Sequence, residues 1–128
     1  MYLSYAVPWM RPGQEAASQT LALVVAAQKT LVDRLHDMIL ENNGAVDFGR
    51  FPFAFTSLHD LSFDYLLHKT IGHQEQMVGE IEVCVEALRM APLAQALAQE
   101  AWGEAKGHLE SLREAAQSLA PAGAAPVR

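Results

Sequence analysis

The sequence predicts an all-α fold, an antiparallel bundle of three long helices, and three observations lead there. Ala and Leu number twenty-one and sixteen against eight Gly and six Pro, a balance that favours helix. Apolar residues recur at helical spacing through three long segments, and no stretch alternates like a strand. Strong punctuation separates those segments, with Asn42-Asn43-Gly44 after the first and Ala91-Pro92 after the second. At 128 residues, 51% of them hydrophobic and 19% charged, the chain is too apolar to stay disordered and fits a single domain, 1–120.

Residues 1–12 form an apolar arm that carries Tyr2, Tyr5 and Trp9. Pro12 opens a first helix, 13–42, on which Ala17, Leu21, Val24, Leu31, Val32, Leu35 and Ile39 share one face. An aromatic connection follows, Phe48 to Phe55, expected to pack with the arm over one end of the bundle. The hydroxyls of Thr56 and Ser57 are placed to cap a second helix, 56–91, with Asp60 at the capping-box distance from Ser57. Its core face reads Leu67, Ile71, Val78, Ile81, Val85 and Leu88. Pro92 suits the first turn of a third helix, 92–120, with Ala94, Ala98, Ala101, Ala105, Leu112, Ala115 and Leu119 in a 4-3 alternation. The tail, 121–128, is low in complexity and is expected to be disordered.

Each apolar face is interrupted once near its midpoint, by Gln28, Gln74 and His108. Gln74 and His108 lie at nearly equal distances from the Ala91-Pro92 turn, so antiparallel helices bring them to one level. A polar layer of these three residues is expected, because unpaired buried amides and imidazoles cost about 1–3 kcal/mol each. Such a layer can fix helix register, or it can line a ligand or metal pocket.

The second helix is apolar on two sides. Opposite its core face, Leu58, Leu61, Tyr65 and Val83 share a surface with Gly72 and Gly79. Glycine inside a helix costs about 1 kcal/mol relative to Ala, so two on one side call for a reason such as close packing. The helix is expected either to sit centrally between its neighbours or to form a dimer contact. The interface residues read from this pattern are Leu58, Leu61, Tyr65, Gly72, Gly79 and Val83, with Tyr2, Tyr5 and Trp9 as a second contact.

Composition also excludes functions. A net charge of −6 and a pI near 5.2 argue against nucleic-acid binding, which needs clustered Lys and Arg. The single cysteine, Cys84, rules out a disulfide framework and reads as an inert thiol near the apolar face. No basic leader with a cleavage site and no uncharged run of about 20 residues is present, so a cytoplasmic setting is expected. The arm, residues 1–10, offers the alternative of membrane contact. No glycine-rich phosphate loop, His-Glu-x-x-His or Gly-x-Ser-x-Gly is found, and neither catalytic residues nor a cofactor are expected from the residues themselves.

One stretch bears on metal chemistry. Glu104-Ala-Lys-Gly-His108-Leu-Glu110-Ser-Leu112 resembles the last helix of ferritin-like and rubrerythrin-type bundles, where a Glu precedes a His and a Leu follows. The resemblance covers one helix and the all-helical architecture. It implies iron, manganese or zinc held by Glu104 and His108, with His73 and His36. The pattern departs from the family in its spacing of four and in Gln28 and Gln74, where the family presents Glu. Two functions follow as expectations. One is a non-enzymatic scaffold or interaction protein, working as a homodimer or complex subunit. The other is a ferritin-like binder of metal or a small ligand at mid-bundle.

Overall fold

The computed structural model describes residues 11–50 and 62–119, which form three helices: α1 (Glu15–Glu41), α2 (Phe63–Ala87) and α3 (Pro92–Leu119). The all-α bundle is therefore as the sequence reads. The arm with Tyr2, Tyr5 and Trp9, the stretch containing Leu58 and Leu61, and the tail lie outside the described residues.

Local chemistry sets the boundaries. The start of α1 is closed by Gln14, only 4% exposed, whose Oε1 accepts from the Arg11 backbone N–H at 2.7 Å. At its end Asn43 takes the left-handed conformation (φ 58°), so that Gly44 N–H reaches Ile39 O at 2.8 Å and Asn43 N–H reaches Leu40 O at 3.0 Å. These two bonds form a Schellman stop with Asn in the place glycine usually takes. Thr56, Ser57 and Asp60, expected to cap the second helix, lie outside the described residues. Ser62 is extended (φ −65°, ψ 153°) and its side chain accepts from Tyr65 N–H, so the cap is Ser62 and the helix opens at Phe63. Pro92 is the first residue of α3, as its missing N–H and fixed φ favour.

Direction is the finding that composition could not supply. Arg11 and Gln14 meet Asp64 at one end of the bundle, and Gln28 meets Gln74 halfway along it. Arg34, late in α1, pairs with Glu100, early in α3. Hence α3 runs antiparallel to both other helices, while α1 and α2 run parallel. Glu41 and Phe63 are thus at opposite ends of α1's length of about 40 Å. Phe48 already lies back along α1, its ring stacked on His36 with centroids 6.0 Å apart.

The helix packed extensively on both sides is α3, not α2. Its Ala-rich face lets neighbours come close: Ala98, Ala101, Ala105, Leu109, Leu112 and Ala115 are all buried. The main core cluster gathers Ala17, Leu21 and Val24 of α1, Phe63 and Leu67 of α2, and Leu112 and Ala115 of α3. All of these lie on one side of the Gln28–Gln74 contact. On the other side Leu31, Leu35, Ile39, Val78 and Ile81 are only half-buried, so the two halves of the bundle are unequally packed.

Candidate functional site

The polar layer exists, with one member replaced. Gln28 Nε2 donates to Gln74 Oε1 at 2.8 Å, and Gln74 Nε2 donates to the Ala105 carbonyl at 3.0 Å. Gln74 is 2% exposed, and these bonds satisfy both ends of its amide. The backbone of α3 supplies what His108 was expected to supply. His108 lies almost one turn beyond Ala105 and lines a groove of about 510 Å³ between α1 and α3. Thr20, Leu23 and Ala27 form one wall of it, and Ser111, Glu114 and Ser118 share the other with His108.

The metal-ligand set implied by the third helix is not assembled. His36 stacks on Phe48 and lies 3.4 Å from Asp37, His73 is exposed on α2, and His108 faces the α1/α3 groove. Glu104 is near Arg34, whose guanidinium is bound to Glu100 through two hydrogen bonds of 2.8 and 3.0 Å. Among the described residues no group of three or more His, Cys, Asp or Glu side chains is arranged to hold a metal ion. The donor set agrees with that geometry. The central buried polar side chain is an amide whose oxygen is already engaged, and a carboxylamide is a weak ligand for these metals. Glu104, His108, His73 and His36, as the structure places them, do not fit a di-metal centre.

Electrostatics are concentrated at exposed positions. The hydrogen bond and charge of Arg34 hold the Glu100 carboxyl below the usual carboxylate range, and Glu100 raises Arg34 in turn. Cys84 is exposed on the flank of α2, not turned into the core, because the helix rotates its neighbours Ile81 and Val85 inward instead.

The outer face of α2 is open along its length. Tyr65 and Val83 are 52% and 68% exposed, and Met90, just past the helix, is 96% exposed. Gly72 and Gly79 lie between them, and a Cβ added at either would meet nothing within 4 Å. Among the described residues, therefore, neither glycine is required by packing, and neither has a backbone conformation that requires glycine. No helix among the described residues is long and apolar enough to cross a membrane, so these apolar side chains do not belong to a span.

One cluster escaped sequence reasoning. Arg11, Gln14 and Asp64 tie the starts of α1 and α2 together, with Gln14 Nε2 donating to Asp64 Oδ1 at 2.9 Å. Asp64 in the first turn of a helix was the available signal, but its partners are some fifty positions away in the chain. The chain matches no family model, no curated protein and no solved structure.

Proposed function

We propose that this chain is a non-enzymatic helical bundle that works by assembly, as a homodimer or as a subunit of a larger complex. Its contact surface is the outer face of α2, and its setting is the cytoplasm. The observation that carries this reading is the pair Gly72 and Gly79. Each costs the helix about 1 kcal/mol, and among the described residues nothing packs against either. Exposed Tyr65 and Val83 on the same face supply apolar area to a partner. The mid-bundle glutamines act in this reading as a register device, holding two parallel helices level so that the outer face is presented rigidly.

The test is native purification of the full chain from cells that make it, wild type beside Gly79→Leu, with assembly mass read by light scattering. An assembly heavier than one chain that is lost in Gly79→Leu supports the reading. A single-chain mass for both proteins overturns it.

A second reading is favoured by the α1/α3 groove, where His108, Ser111 and Glu114 face Thr20 across a concavity large enough for a small polar ligand. Native mass spectrometry decides it. A bound small molecule lost on His108→Ala supports a ligand-binding bundle, and an unliganded wild-type mass overturns it.

A further inference from the structure

We infer that the partner docked on the outer face of α2 is a second copy of this chain, with the two α2 helices antiparallel about a two-fold axis passing between Glu75 and Gln76. The inference rests on the reading of that face as a contact surface, and it adds the identity and the orientation of the partner.

The stripe itself is self-complementary. At about 100° per residue, Tyr65, Gly72, Gln76, Gly79, Val83 and Ala87 fall on one line opposite the core face, and all are exposed. Gly72 and Gly79 are equidistant from the point between Glu75 and Gln76. An antiparallel copy related by a two-fold axis there sets Gly72 against Gly79 of the second copy, twice over. Two backbones can approach closely only where neither carries a Cβ, and both glycines have open space above them. The same operation sets Tyr65 level with Glu86 of the second copy and one residue from its Ala87, whose small side chain leaves room for the ring. Val83 falls level with His68 and one residue from Lys69, whose methylene stem can cover it.

Charge supports this orientation over the parallel one. Basic groups on the exposed side of α2 lie toward its start, His68 and Lys69, while Glu80, Glu82 and Glu86 lie toward its end. In a two-fold antiparallel pair the same flank of each helix faces its counterpart. Lys69 and Glu80 share one flank, so each Lys69 meets Glu80 of the other copy. His68 meets Glu82 on the opposite flank, where Glu86 is already paired with Arg89 of its own chain. A parallel pair would instead bring opposite flanks together at equal height, setting Lys69 beside His68 and Glu80 beside Glu82 of the other copy, like against like. Lys69 has no ion pair among the described residues, and Glu80 accepts only from neutral Gln76. Glu75, near the axis, is held by Arg113 of its own chain at 2.6 Å. It therefore brings a compensated charge to the centre of the contact.

The experiment uses the full chain expressed alone, with association measured by sedimentation equilibrium and folding checked by circular dichroism. The wild type sediments as two chains. Lys69→Glu and Glu80→Lys each weaken association about tenfold, since every change counts twice in a two-fold pair, and the double variant recovers to within about threefold of wild type. In a Cys84→Ser background, Gln76→Cys crosslinks to its own counterpart on mild oxidation. A single-chain mass for the wild type overturns the second copy as partner and leaves the docking surface to its own test by native purification. A dimer indifferent to both charge reversals, with Gln76→Cys failing to crosslink, overturns the antiparallel arrangement alone.

Discussion

Gln28 Nε2 donates to Gln74 Oε1 at 2.8 Å, and this bond joins two parallel helices halfway along their length, beyond the core cluster and the Arg11–Gln14–Asp64 contact at their starts. Parallel neighbours linked by a long connection have no tight turn to set their relative height. In this chain the amide pair does so together with the Arg11–Gln14–Asp64 contact at the helix starts, and the Ala105 carbonyl at 3.0 Å extends the level to α3. Gln74→Ala removes both bonds and opens a cavity at a site 2% exposed, so destabilisation of about 2–3 kcal/mol is expected in urea unfolding. Gln28→Ala, at a half-buried position, costs about 1 kcal/mol. A double-mutant cycle between them returns a non-zero coupling. Strict additivity would show that the bond does not hold the layer together.

The end of α1 gives a prediction with two signs. A Cβ at Gly44 would lie 2.7 Å from Ile39 Cγ2 and 3.0 Å from the Ile39 carbonyl oxygen, which already accepts the Gly44 N–H. Gly44→Ala therefore destabilises, by about 1–2 kcal/mol. Asn43, at φ 58°, pays a left-handed penalty that glycine would not, so Asn43→Gly is neutral or stabilising by up to about 1 kcal/mol. Thermal melting of the two single variants checks both directions, and equal shifts would disprove the Schellman geometry as the stop.

Acid sensitivity should run partly through one ion pair. Glu100 has its carboxyl lowered from 4.5 by the Arg34 hydrogen bond and charge. A group depressed in the folded state contributes stability that is fully present above its unfolded value. That contribution is lost as pH falls through the folded value, below 4.5. Glu100→Gln removes it, so the variant loses less stability than wild type between pH 7 and pH 3. Because the pair is exposed, the difference is small and fades in high salt. Urea midpoints at the two pH values measure it, and parallel losses in both proteins would refute the assignment.

The glycines of α2 separate folding from assembly. Gly72→Ala and Gly79→Ala place a methyl where nothing lies within 4 Å, so each should raise the stability of the single chain by about 0.5–1 kcal/mol through helix propensity. Both should at the same time weaken assembly. Denaturation at low concentration reads the first effect, and sedimentation at high concentration reads the second. A rise in both quantities would mean that the glycines are not at a contact.

Much of the fold was legible in the chain because its causes are local. Periodicity placed Ala17, Leu21 and Val24 in the core, the Asn42-Asn43-Gly44 stop ended α1, and Pro92 opened α3. Phe63, 1% exposed in the core, was missing from the core face read from the sequence, which began at Leu67; the Ser62 cap makes Phe63 the first residue of α2. Gln28 and Gln74 were identifiable as partners from their midpoint positions on apolar faces. His108 was not separable from them, because Ala105, less than one turn away, offers a carbonyl that competes for the same amide.

What the sequence determined alone was therefore helix, face and boundary, each governed by contacts within about four residues. What only the tertiary structure decided was direction and neighbourhood: that α1 lies parallel to α2, that α3 is the helix packed on both sides, and that Arg11, Gln14 and Asp64 meet. These depend on how a long connection is routed, and the free-energy cost of closing it grows only with the logarithm of its length. Pattern along one helix carries no term for that choice. Packing between helices does, and here small Ala side chains along α3 let both neighbours approach it.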